Sequence, residues 1–118
     1  MSKKKRDIPH YHLPIIETHC HLDYLKDRPL EETISQSAAV GIEKIMTIAV
    51  SPDNLATVMD ITRKHTQVWG TQGIHPHDAE LYNEDVEAII RNNLHDKKIL
   101  AVGEIGLDYF YDNAERAI

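Results

Sequence analysis

A single cysteine, Cys20, stands in the whole chain, so no disulfide can form within it. That usage fits a reducing compartment, and a cytoplasmic location is the expectation. Long hydrophobic runs are missing too. IMTIAV (45–50) is among the longest, and it is strand-sized, far below the ~20 apolar residues of a membrane-spanning helix. No membrane partner is expected. MSKKKRD at the start is basic, but no apolar stretch of signal-peptide length follows it. Positive charge is in the minority: 13 Lys and Arg against 19 Asp and Glu give a net charge of −6 with His neutral. Phosphate-rich polymers are usually held by a basic face, so nucleic-acid binding by bulk electrostatics finds no support. A local grip through metal ions stays open. No internal repeat occurs, and no low-complexity segment beyond the lysine run.

What is present is enough for one folded domain. The 118 residues are 42% hydrophobic and 27% charged, which argues against long disorder. Residues 1–12 read as a mobile basic tail and 13–118 as the domain. Short apolar runs alternate with amphipathic ones. LPII (13–16) reads as a first strand running into Glu17-Thr18-His19. Pro29 and Gly41 bracket LEETISQSAAV, a helix with Leu30, Ile34 and Ala38 as its buried stripe. KIMTIAV (44–50) reads as a strand covered on both faces. Ser51 and Pro52 then open a helix whose inner face is Leu55, Val58, Met59 and Ile61. VWGTQ (68–72) is a third strand. Asn83 caps a third helix with Val86, Ile89, Ile90 and Leu94 on one side. ILAVG (99–103) is a fourth strand, and the last residues look like the opening of another helix.

This alternation is the signature of an α/β fold with a parallel sheet. An open doubly wound sheet and part of a (β/α)8 barrel both fit. No G-x-G-x-x-G follows the first strand, so the dinucleotide-binding version of the open sheet loses support.

Chemistry collects at the strand ends. IIETHCHLD (15–23) closes the first strand, and residues two apart on a strand point the same way. His19 and His21 therefore aim together, with Cys20 opposite. Two such imidazoles can grip one divalent ion. The third strand ends in GIHPHDA (73–79), with His75 and His77; the fourth ends in VGEIGLDYF (102–110), with Glu104 and Asp108. Carboxyl ends of parallel strands are where α/β folds build active sites. Glu104, following an apolar run, is a charge beside a dry interior that needs a partner, and it is the acid best placed to join His19 and His21 on a metal. His75 and His77 can ligate metal or donate to a substrate oxyanion or phosphate; with local ligands already sufficient, the substrate role is favoured. His10, His12, His65 and His95 receive no role.

Together, IIETHCHLD, GIHPHDAELY and ILAVGEIGLDYFYD, in this order and spacing, resemble the TatD family of metal-dependent deoxyribonucleases. The likeness runs from about Ile15 to the C-terminus. It implies an amidohydrolase-type (β/α)8 TIM barrel, of which this chain holds the first three βα units and the fourth strand. It also implies His19 and His21 as metal ligands, Glu104 as the catalytic carboxylate bridging two metal ions, and His75, His77 and Asp108 beside the substrate. The implied cofactor is one or two divalent ions, Zn, Mn or Mg, and the implied substrate is DNA or a nucleotide, cut at a phosphodiester bond. Glu17 stands where the family usually has Asp, which bears on tuning by an outer acid.

The barrel normally needs ~250 residues, and the family's remaining ligands, two histidines and an aspartate, fall on later strands. The expectation is therefore an N-terminal half, truncated, whose uncovered apolar face leads it to self-associate. A deaminase or amide hydrolase of the same barrel group, and a non-catalytic fragment lacking the later ligands, are the alternatives.

Overall fold

The computed structural model describes residues 6–116. Four strands, β1 (Ile15–Cys20), β2 (Ile42–Thr47), β3 (Val68–Gln72) and β4 (Ile99–Val102), alternate with helices α1 (Leu30–Ala39), α2 (Leu55–Lys64) and α3 (Glu84–Asn93). All neighbouring strands pair in parallel, in the strictly sequential order β1-β2-β3-β4. A doubly wound sheet reverses its strand order at a switch point. Here nothing reverses, which leaves the barrel arrangement.

Local sequence explains the element ends. Ser51 and Asn54 form a reciprocal capping box with Pro52 in the first turn, a short 3-10 segment (Pro52–Asn54) that feeds α2. The Asn83 side chain accepts the Val86 amide at 2.9 Å and starts α3. Pro29 sits one position before α1 as its cap, and Gly41 follows the helix at φ +102°.

The core lies on one face of the sheet. Ile34 of α1 and Ile61 of α2 pack with Leu22, Ile45 and Val68. Leu55, Val58 and Met59 of α2 join Val86 and Ile90 of α3 over Ile99. The opposite face is open: Ile16 is 57% and Leu100 56% exposed, and with Met46 and Trp69 they line a hollow of about 300 Å³. β2 is therefore covered on one face and not on both, because the helices of sequential right-handed crossovers all fall on the same side.

Four smaller expectations also give way. β2 stops at Thr47, and Ile48, Ala49 and Val50 stay buried without strand pairing. Ala38 and Ile89 point outward, so α1 buries Ile34 with half-buried Leu30, and α3 relies on Val86, Ile90 and half-buried Leu94. Past β4, residues 103–116 form bends and turns and no helix. Of the basic tail, the described residues 6–12 are exposed and outside any strand or helix, and the lysine run lies outside the described residues. No helix among the described residues is long and apolar enough to cross a membrane.

Leu55, 2% exposed, and Ile89, 49% exposed, differ in what their removal should do. Leu55→Ala is expected to lower unfolding free energy by about 2–5 kcal/mol in urea titration. Ile89→Ala should change it by no more than about 0.5 kcal/mol. Equal effects would contradict the one-sided core.

Candidate metal centre

β1 delivers its histidines through a local irregularity. The pairing with β2 shifts register between Glu17 and Cys20, and one Glu17 carboxylate oxygen accepts the His19 amide at 2.9 Å. The two rings meet edge to face with centroids 5.3 Å apart. Cys20 turns the other way and packs beside the Leu22–Ile34 cluster. Burial, then the Glu17 and Asp23 carboxylates, push its thiol up to about 11, so it is a packing residue.

His21 is oriented from behind. Its Nδ1 lies 3.2 Å from the Ile48 carbonyl oxygen. A carbonyl only accepts, so the ring proton sits on Nδ1 and the Nε2 lone pair is free. This is the tautomer a metal ligand needs.

Glu104 reaches the same place from β4. Ligand atoms of His19, His21 and Glu104 all lie within 4.8 Å of one another. One Glu104 carboxylate oxygen is 3.7 Å from His19 Nε2 and the other 3.2 Å from His75 Nε2. Two imidazoles and a carboxylate at this spacing are a donor set that suits a borderline divalent ion, so these residues fit the metal that the sequence implied.

Buried backbone ties hold Glu104 where it is. Its amide donates to Ala49 O at 2.8 Å, and the Gly103 amide donates to Gln72 O at 3.0 Å. The Thr71 hydroxyl donates to Gly103 O at 2.7 Å while accepting the Ala49 amide at 3.2 Å. On the neighbouring strand, Thr47 Oγ1 accepts the Leu22 amide just beyond His21. Gly73 completes the seat: a Cβ there would stand 2.5 Å from the Gly103 carbonyl carbon, so only glycine lets the two strand ends close up. Sequence reading missed Thr47 and Thr71. Their signal was slight, a hydroxyl residue near the carboxyl end of each of two adjacent strands.

His75 and His77 stand together with ring centroids 4.5 Å apart, the first capping and the second inside a 3-10 segment (Pro76–Leu81) that sequence reading did not foresee. His75 Nδ1 accepts the His77 amide at 3.0 Å, which leaves its ring proton on Nε2, the atom facing Glu104. That proton makes His75 a hydrogen-bond donor into the site. His77 Nε2 is 3.5 Å from Asp108 Oδ2. Backbone amides of Tyr111 and then Phe110, with Asn113 and the His77 ring adding smaller pulls, hold Asp108 below the usual carboxylate range against the opposing effect of desolvation.

The site's floor and walls are His19, His21, Tyr24, Val50, His75, His77, Asp78 and Glu104, around a hollow of about 550 Å³. Every sequence-named site residue except Asp108 lines it, and Asp108 sits behind His77. Tyr24 was not foreseen; it stacks on His21 with centroids 5.1 Å apart and planes 23° from parallel. Burial and the Asp23, Asp78 and Glu104 carboxylates raise its pKa.

Thr71→Val keeps the shape and leaves Gly103 O without its hydroxyl donor. A variant that weakens divalent-ion affinity at least tenfold in calorimetry, with Thr71→Ser restoring it, is the expected result. Affinity unchanged in Thr71→Val would show that the hydroxyl does not position Glu104.

Comparison with known proteins bears on the family and the fold. The family described as TatD related DNase matches residues 16–117. An uncharacterized metal-dependent hydrolase of Bacillus subtilis, YabD, is 30% identical over 106 residues, spanning 88% of this chain and 41% of that protein. The 3'-5' ssDNA/RNA exonuclease TatD of Cronobacter turicensis is 29% identical over 83 residues, 70% of this chain and 32% of its own length. The crystal structure of YjjV, a TatD homolog from Escherichia coli K12, superposes with a TM-score of 0.71 at 34% identity, covering 83% of this chain and 39% of that one. The four-stranded unit is thus part of a TIM barrel, and the chain spans about two fifths of the length of relatives such as YabD. By motif, fold and match over nearly its whole length, this chain belongs to the TatD-related DNase family.

Proposed function

We propose that the rim formed by His19, His21 and Glu104 is the metal-binding part of a hydrolase that cuts phosphodiester bonds in nucleic acid. The convergence of those three groups within 4.8 Å carries this reading. The name of the Cronobacter relative, an exonuclease on single-stranded DNA and RNA, supports the substrate class. A divalent ion bound there supplies Lewis-acid polarisation of a phosphoryl oxygen and an acidified water.

The chain's own residues do the arranging. His21 is presented as a fixed tautomer by Ile48 O. Glu104 is held by Ala49 and, through Gly103, by Thr71. His75 offers an Nε2 proton to an anionic oxygen entering the hollow. His77, backed by Asp108, provides a second imidazole at the same wall. A cytosolic setting belongs to the same proposal, resting on the single cysteine.

Simultaneous His19→Ala and His21→Ala substitution should abolish high-affinity Mn²⁺ or Zn²⁺ binding in calorimetry while leaving the circular dichroism spectrum intact. Retained binding of the same stoichiometry would remove the assignment.

The open face also has a consequence. β1 and β4 each pair on one side only among the described residues, and all strands run in parallel. A second copy can therefore lay its β1 beside β4 with the pairing already used inside the sheet. Self-association of the 118-residue chain is the expected result in sedimentation velocity. A monodisperse monomer throughout the micromolar range would contradict it.

A further inference from the structure

Large aromatic side chains stand on two approaches to the metal rim. Tyr24 lies over His21 and remains more than half exposed. On the other approach, Tyr111 meets the His77 ring with centroids 5.3 Å apart, and Phe110 meets Tyr111 at 4.8 Å. Phe110 is 84% exposed. Phe110 thus stands behind Tyr111 on the His77 side of the hollow, with its ring open to contact.

Charge narrows what the surface contacts. Among the described residues the hollow is lined by histidines, two acids, a tyrosine and a valine, with no lysine or arginine, on a chain of net charge −6. A nucleic-acid strand approaching it gains little from phosphate neutralisation. Beyond the divalent ion and the His75 donor, which hold the reacting phosphate, affinity then comes from its bases. Base-on-aromatic stacking supplies it and tolerates any base, because every base has a π face. A base paired in a duplex has both faces already stacked, so only an unpaired one is free to use the rings.

We propose that Tyr24 and Phe110 are stacking platforms for unpaired nucleobases of a single strand, flanking the His19–His21–Glu104 group on the β1 side and the β4 side. The rings are pre-placed. Tyr24 is braced by the His21 imidazole, and the turn carrying Phe110 is pinned by Asp108, whose Oδ1 accepts the Phe110 and Tyr111 amides at 3.0 and 2.9 Å. Little ordering is needed when a base arrives. This inference deepens the hydrolase reading and rests on it for the position of the reacting phosphate.

Fluorescence anisotropy on the full chain tests it, with phosphorothioate-linked, fluorescein-labelled single strands of DNA and of RNA, in Mn²⁺. Phe110→Ala and Tyr24→Ala should each weaken binding roughly five- to hundredfold, the range for one lost base–aromatic stack, whereas Phe110→Trp should retain it. A strand with abasic sites at its end should bind the unaltered chain weakly and be insensitive to Phe110→Ala. The salt dependence should correspond to about one neutralised phosphate or fewer. DNA and RNA arms that differ would show that the sugar is read as well as the base, with the aromatic effect present in the arm that binds.

The proposal is overturned if Phe110→Ala and Tyr24→Ala bind as tightly as the unaltered chain, if abasic and intact strands bind alike, or if no single strand binds. A Phe110→Ala effect confined to sedimentation would give that ring to a second copy of the chain and equally overturn it. Mn²⁺ calorimetry on the same samples separates the two readings. Bound Mn²⁺ with no aromatic effect sinks only the platforms, and absent Mn²⁺ binding sinks the metal site.

Discussion

The hydroxyl of Thr71, 3% exposed, is the small group on which the rim depends. Parallel strands that end at different heights leave amide and carbonyl groups that the ladder cannot pair. A buried backbone group left so costs about 1–3 kcal/mol. Thr71 answers two of them at once, the Ala49 amide and the Gly103 carbonyl, and so ties the segment after β2 to the segment after β4. Glu104 is the next residue along, and its own amide closes onto Ala49 O. The position of the carboxylate is thereby set by buried hydrogen bonds and not by its charged neighbours.

That order of causes matters because the neighbours are weak constraints. Glu104 lies between His19 at 3.7 Å and His75 at 3.2 Å, both partly open to water, where paired charges contribute little. Such contacts could not place an acid within reach of two imidazoles by themselves. They can respond to a ligand once it arrives. A rim rigid in backbone and loosely paired in side chain is suited to exchanging one partner of Glu104 for a cation without moving the strand beneath it. The same division appears at His77, where backbone amides fix Asp108 and the imidazole is left as its adjustable partner.

How much of this was legible in the sequence follows from the range of the interactions concerned. β3 was read to the residue, and the caps Ser51 and Asn83 were read correctly, because capping and apolar runs are local. The facing of His19 and His21 followed from the two-residue period of a strand and survived a register shift in β1. The outward turn of Ala38 and Ile89 did not show, since the width of a helix's buried stripe depends on what lies opposite. Nor did the early end of β2. Ile48, Ala49 and Val50 are as apolar as strand residues, yet only the Ile48 amide still reaches β1, at Cys20 O, and those of Ala49 and Val50 serve the side chains of Thr71 and Asn54 in place of a ladder. Sequence registers burial there and is blind to the partner. The one-sided cover of the sheet was hidden for a related reason: strands of a barrel and of an open sheet are both apolar, and only the sequential order of pairing separates them.

Glu17 shows how a departure from the expected residue can be absorbed. An acid two positions before the first ligand was read as an outer acid that tunes the site, with Glu17 in place of the family's usual Asp. In the structure its carboxylate accepts the amide of His19, two residues further along its own strand, at 2.9 Å. An aspartate two residues before the amide makes the same kind of loop with a shorter arm. The contact acts on the backbone of His19 at the point where β1 breaks register with β2, where a strand amide would otherwise lack a ladder partner. Glu17 therefore satisfies the irregularity that turns His19 toward Glu104, and its contribution to the rim passes through the main chain and not through the imidazole ring.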